Sequence, residues 1–325
     1  MPILRTCFIL IIAALFGFQT TFAQSGWSIN QTSGTGDLIS VFFTSSDNGW
    51  IAGDDGFLAY TEDGGKTWQK RILNTAANIN EIYFRNDDNG YLVAGRKMFI
   101  TSDAGKSWNE EIIVKPNEFT DGIPEFYSIR FNSKNQGFII GAIIDKNNED
   151  YVIGSLLLRT VDGGSSWSRI VVPTKAELIH LDFDGKSHGW IVGDMGTILA
   201  TTDNGNTWNV QNSGTDEVLR NVDFRDEKDG YVVGTNGTIL RTVDGGQTWT
   251  KIESNFDKSL NRVDFADDKN GWIVGSDGVI LRSTDKGMTW VRQESQTENS
   301  LYGLFIVKKY GWSVGKSGVI IKYER

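Results

Sequence analysis

Six times along this chain of 325 residues the same short phrase returns: TEDGGKTW (61–68), TSDAGKSW (101–108), TVDGGSSW (160–167), TTDNGNTW (201–208), TVDGGQTW (242–249) and STDKGMTW (283–290). The closing tryptophans, Trp68, Trp108, Trp167, Trp208, Trp249 and Trp290, stand 40, 59, 41, 41 and 41 residues apart. Repetition at such a period marks a chain built from equal supersecondary units that stack on one another. A second mark precedes each phrase, as in GWIAG (49–53), GYLVAG (90–95), GFIIG (137–141), GWIVG (189–193), GYVVG (230–234) and GWIVG (271–275), and it occurs a seventh time as GWSVG (311–315).

The missing seventh tryptophan is at the other end. Trp27 lies 41 residues before Trp68, in a setting (GWSINQTSGT) that matches the one around Trp208. The last unit stops at GVIIKYER, short of any turn phrase. The N-terminal segment is therefore expected to supply the outer strand of the C-terminal unit and close a ring. Within a unit, alternation and breakers give strand a (LRNVDF type), an Asp/Asn/Gly turn, strand b (GWIVG), a glycine turn, strand c (TILRT) and strand d starting at the tryptophan. Four short antiparallel strands per unit, seven times over, predict an all-β, seven-bladed propeller occupying residues 24–325 as one domain.

The aspartates of the phrase, Asp63, Asp103, Asp162, Asp203, Asp244 and Asp285, obey the repeat. A catalytic group breaks symmetry, because one site needs one constellation. Asp bonds backbone amides two residues on, and the glycines after it allow the positive φ of a tight turn. These aspartates are read as structural, with the tryptophans packing where blades meet.

Residues 1–23 read as an export signal: Arg5, an apolar run from Cys7 to Phe18, and small residues at Thr21 and Ala23, predicting cleavage after Ala23 and a periplasmic or secreted protein. Cys7 is the only cysteine, so the mature chain has no disulfide and no cysteine metal site. No other stretch is apolar enough to cross a membrane. The formal charge of −9 is spread along the sequence and disfavours a nucleic-acid partner. His180 and His188 are the only histidines, and their placement on strand a and in an a–b turn points to no metal site. No cofactor motif is present.

Function is sought where the symmetry breaks. The 59-residue spacing holds two insertions, one between strands d and a and one between b and c, which leave the ring on the same face. They carry Glu118, Phe119, Asp121, Glu125 and Phe126 in the first and Asp145, Glu149, Asp150 and Tyr151 in the second. Long loops on a rigid scaffold are common binding sites, and the alternative is an extended hairpin with a solvated tip. A second asymmetric set lies on strand a. The place of Ser40 is taken in later blades by Glu81, Ser128, His180, Asn221, Arg262 and Gly303, with Arg130 and Arg220 beside them. Such a set either binds a small ligand at the channel or lines a hydrated pore.

The turn phrases resemble the Asp-box (BNR) repeat of sialidases and of several non-enzymatic propellers. The sialidase pattern is six-bladed with an RIP-type motif, whereas this chain has seven units and no RIP string. Xyloglucan-hydrolysing enzymes use two such propellers, and this chain holds one. The unit NGWIVGDMGTILATTDNGNTW is closer to the photosystem II assembly/stability factor family, whose members share a patch of arginines. That resemblance implies a non-catalytic, exported scaffold that binds a protein partner of the membrane or envelope. The alternative is a glycan-acting enzyme or lectin on the same architecture.

Overall fold

A computed structural model describes residues 26–32, 36–114, 118–120 and 122–324. The export signal and Asp121 lie outside the described residues. Seven four-stranded antiparallel sheets surround an axis, and in six of them the strands follow chain order from inside out. The seventh joins Trp27–Thr32 to the outer edge of Val319–Glu324, whose other neighbours are Tyr310–Gly315 and Leu301–Ile306. The ring closes as the sequence predicts.

Strands a and b build the core. In strand b every residue of Gly49–Gly53, Gly230–Gly234 and Gly271–Gly275 is buried, as expected for a strand covered by a blade on each side. The strand-b aromatic of one blade stacks on the phenylalanine closing strand a of the next: Trp190 on Phe224 at 3.4 Å and Tyr91 on Phe131 at 4.1 Å between centroids. The turn-phrase tryptophan then meets that phenylalanine edge-on, as Trp249 meets Phe224 at 5.9 Å. Most of these outer rings are only half-buried, whereas Trp190, Trp272 and Trp312 are fully buried, so strand b supplies the deeper inter-blade filler.

The turn phrase folds as one hydrogen-bonded knot. Thr61 Oγ1 donates to Asp63 Oδ1 (2.8 Å) and accepts from Gly65 N (2.9 Å), while Asp63 Oδ1 accepts from Thr67 N (2.9 Å) and Oδ2 from Thr67 Oγ1 (2.7 Å). The other five phrases repeat the pattern. The second glycine makes room for a neighbour: a Cβ on Gly105 would sit 2.1 Å from the Trp50 ring of the preceding blade, and this backbone has φ +78. The Thr67 hydroxyl, the largest cause, holds Asp63 down to about 2, and the equivalent partners do the same for Asp103 and Asp162. Each of these carboxylates is committed to hydrogen bonds within its own turn.

Parts of both insertions are strand, at 122–126, 142–145 and 152–153. They prolong strands a, b and c of the third blade to Gly122–Phe131, Gly137–Asp145 and Val152–Thr160, against five or six residues for strands a and b elsewhere in most blades. The result is a wall rising from one face of the ring. The free edge of its inner strand carries Pro124, which has no N–H to offer another strand.

Candidate functional site

Strand a runs down the channel from the walled face, and each copy carries a bulge at its second residue, between Leu38 and Ser40 or between Leu219 and Asn221, for example. A bulge puts one extra residue on its strand. The second, third and fifth places of strand a therefore all supply channel side chains, forming three successive rings.

The middle ring is the set beginning with Ser40. Ser40, Glu81, Ser128, His180 and Asn221 are at most 5% exposed, although all but Ser128 border a cavity of about 230 Å³ within the channel. They stitch blade to blade. Ser40 Oγ accepts from Ile82 N (3.1 Å), Glu81 Oε2 from Ile129 N (2.8 Å) and Asn221 Oδ1 from Val263 N (2.9 Å), each on the following blade. Glu81 also accepts from Ser128 Oγ (2.5 Å) and pairs with Arg130 Nη1 at 2.7 Å. Arg130 Nη2 lies 3.1 Å from His180 Nε2, and Asn221 Nδ2 lies 3.1 Å from its Nδ1. Burial, reinforced by Arg262 and Arg130, pushes the His180 imidazole well below its ordinary value, so it is neutral. Four of the six channel residues named from sequence thus form one network.

The lower ring was not singled out from sequence, apart from Arg130. It comprises Phe42, Tyr83, Arg130, Asp182, Asp223, Asp264 and Phe305 at the fifth place of strand a. The signal was available in LDF, VDF and VDF, two residues beyond the ring that was flagged. Asp182 Oδ2 accepts from Phe224 N (2.8 Å) and Asp264 Oδ2 from Ile306 N (3.0 Å). Burial raises Asp182 to about 6 and Asp264 to about 7, and burial together with both of those carboxylates raises Asp223 well above the ordinary aspartate value.

The folded chain therefore keeps these protons to higher pH than an unfolded chain, whose aspartates ionise near 4. Stability contributed by the protonated forms is complete below pH ~4 and is lost as pH rises through ~6–7. Asp223→Asn is expected to stabilise the protein by about 1–3 kcal/mol at pH 8 and to have little effect at pH 4. Thermal unfolding at the two pH values checks this, and equal effects at both would contradict it.

Above the middle ring, on the walled face, the channel widens into a mouth of about 600 Å³, with Asp37, Asp54, Asn80, Tyr127, Arg220 and Arg262 among its walls. Arg262 also borders the narrower cavity of about 230 Å³ below. Neither Arg220 nor Arg262 makes a side-chain hydrogen bond or ion pair among the described residues, and Arg220 Nε is buried without a partner. Burial lowers Arg262, the Glu81 charge opposes this, and Arg130 adds to the lowering. Two arginines left unpaired beside an open cavity are suited to an anionic or carbonyl-rich ligand.

The insertion residues divide. Glu118, Glu149, Asp150 and Tyr151 are exposed, and Tyr151 is 61% so. Asp145 instead closes the wall tip, its Oδ1 accepting from Asn147 N at 2.7 Å. Phe119 is half-buried against the third blade with Arg169 over its ring at 5.3 Å. Phe126, expected at the exposed face, is fully buried because it begins the regular part of strand a, where that place always faces the core. Glu125, expected to be exposed, is half-buried beside Tyr127 and Glu177, and burial raises its pKa.

The sequence matches the family model described as the photosynthesis system II assembly factor YCF48, over residues 19–110, 73–176, 165–218 and 208–303. The photosystem II assembly lipoprotein Ycf48 of Synechococcus sp. (strain CC9902) is 26% identical over 136 residues, which is 40% of this chain and 36% of that one. This alignment spans about a third of that relative's length. A solved structure described as YCF48 bound to D1 peptide superposes with a TM-score of 0.74 at 20% identity, over 92% of this chain and 95% of that one. The GH74 enzyme of Niastella koreensis superposes at 0.70 with 14% identity, over 91% of this chain and 53% of that one. The architecture is thus shared by assembly factors and hydrolases, and the blade fold alone does not separate them.

Proposed function

The chain belongs to the photosynthesis system II assembly factor YCF48 family, and on that premise we propose that it is an exported, non-catalytic propeller that binds a polypeptide segment of an envelope or membrane-protein partner. The segment enters the channel mouth on the walled face. The observation that carries this reading is the pair of unpaired arginines, Arg220 and Arg262, in an open cavity that lies above the Glu81–Arg130–His180–Asn221 network. A solved relative is described as holding a peptide, which agrees with it. The wall of the third blade rises from the same face as the mouth. Residues 1–23 direct export and are removed after Ala23, leaving residues 24–325 as the working domain.

Crosslinked pull-down from the native envelope with the mature domain is expected to retrieve one specific client. Arg262→Ala is expected to weaken that client at least tenfold, about 1.4 kcal/mol, without changing the thermal midpoint by more than a few degrees. Recovery of no client, or equal binding by the variant, would count against this reading.

A further inference from the structure

The mouth is electrically split, and its two halves are set by specific departures from the repeat. Two places recur at this end of the blades, the residue before strand a and the one that opens the b–c turn. Asp37, Asp54, Glu177, Asp194 and Val218 at these places line the mouth, and in the seventh blade the pair is Ser300 and Lys316. The backbone ties them together, as Asp54 N to Asp37 O and Asp194 N to Glu177 O, both at 3.0 Å. In the first blade the pair is Asp37 and Asp54, and in the fourth it is Glu177 and Asp194. In the third blade the equivalent place is Glu125, within the lengthened strand a and near Glu177. In the fifth and sixth blades the same places hold Val218 with Thr235 and Ser259 with Ser276, and those two blades bring Arg220 and Arg262 into the mouth.

The opposite charges are kept apart. No carboxylate of this set forms an ion pair with a lysine or arginine among the described residues, and neither arginine does so with any acid. Their remaining contacts are with neutral groups. Asp37 Oδ1 accepts from Ser317 N (2.9 Å), Asp54 Oδ2 from Asp37 N (2.9 Å) and Asp194 Oδ1 from Met195 N (2.7 Å). Tyr127 lies on the acidic side, where burial and the Glu177 and Glu125 carboxylates push its hydroxyl well above the ordinary tyrosine value. The negative charge there is crowded enough that Glu177 adds to the upward shift of Glu125.

Unpaired charges of both signs around one cavity are costly to keep unless something outside the chain uses them, because each would gain from a partner in a partly desolvated site. The geometry points to a dipolar ligand: a peptide segment with lysine or arginine side chains at one end, received by Asp37, Asp54, Glu177 and Asp194, and a carboxylate at the other, received by Arg220 and Arg262. This rests on the peptide-binding reading above and adds which segments are accepted. Segments of uniform charge are rejected, since half of the mouth repels them. The carboxylate comes either from an acidic side chain or from a chain end.

The test uses the mature protein and five fluorescein-labelled synthetic octapeptides. One has two lysines near its start and two glutamates near its amidated end; its counterparts replace the charged positions with lysine only, glutamate only or glutamine only. The fifth ends in a free carboxylate in place of the two glutamates. The dipolar peptide is expected to bind at least tenfold tighter than the all-lysine and all-glutamate peptides, with the difference shrinking as salt is raised. Asp54→Asn with Asp194→Asn should erase the preference for lysine, and Arg262→Gln should erase the preference for glutamate. Comparable binding of the free-acid peptide assigns the carboxylate to a chain end, and its weaker binding assigns it to side chains, either of which supports the split mouth. Equal affinity for the dipolar and uniform peptides overturns the inference and leaves peptide binding intact. Failure of all five to bind at millimolar concentration overturns both.

Discussion

Deletion of Gly26–Thr32 is expected to abolish the cooperative unfolding transition of the ring. The strand pairs with the last one from Trp27↔Tyr323 to Thr32↔Val319, and Glu324 N donates to Gly26 O at 3.0 Å. Trp27, 3% exposed, packs on Tyr323 and on a cluster that includes Trp272, Val274, Ile280 and Leu301. Losing that one ring costs ~3–5 kcal/mol. A domain with ~5–15 kcal/mol of net stability has little margin beyond that once the paired backbone goes as well. The deletion also bares the edge of Val319–Glu324, a template for pairing with another chain. Urea unfolding followed by tryptophan fluorescence should show no sharp transition for the truncated protein, and its soluble fraction should aggregate. Trp27→Ala is the graded control. It keeps the fold and lowers stability by ~3–5 kcal/mol. A truncated protein with an unchanged midpoint would mean that the ring does not depend on this closure.

That closure was legible because Trp27 keeps the 41-residue step and its local phrase, so one periodic signal fixes blade number, strand order and the swap together. The turn aspartates were legible for the same reason, since local hydrogen bonds within eight residues decide their role. What escaped was non-local. The sequence left binding loops and an extended hairpin open for the insertions, because IVKP and acidic residues punctuate them. The hairpin is what forms, and Gly122–Phe131 pairs with Gly137–Asp145 and buries Phe126. The bulge at the second residue of strand a is invisible to an alternation rule, which is why Arg220 in the mouth and Asp182, Asp223 and Asp264 in the lower ring were not sorted into rings. The flagged channel residues Glu81, Arg130, His180 and Asn221 meet across 40 to 100 residues of sequence. Their residue types gave no hint that they bond one another.

Arg130→Met is expected to cost ~3–5 kcal/mol, because it leaves Glu81 buried without its guanidinium. Glu81 is 4% exposed and gives one oxygen to Arg130 at 2.7 Å, while the other accepts from Ser128 and from Ile129 N. Glu81→Gln keeps an acceptor for Ile129 N and removes the charge, so its cost is smaller, about 1–3 kcal/mol. The double variant should recover a large part of the Arg130→Met loss, since no unpaired charge then remains, and the coupling between the two positions is measured by a double-mutant cycle in urea. Arg130 has a second role that gives the prediction a pH signature. Its charge lowers the carboxylates of Asp182, Asp223 and Asp264 in the same lower ring. Without it those aspartates hold their protons to still higher pH, so the destabilisation should be larger at pH 8 than at pH 5. A single variant that loses the same stability at both values, or a double variant no better than Arg130→Met, would show that the network does not bind the middle ring to the lower one.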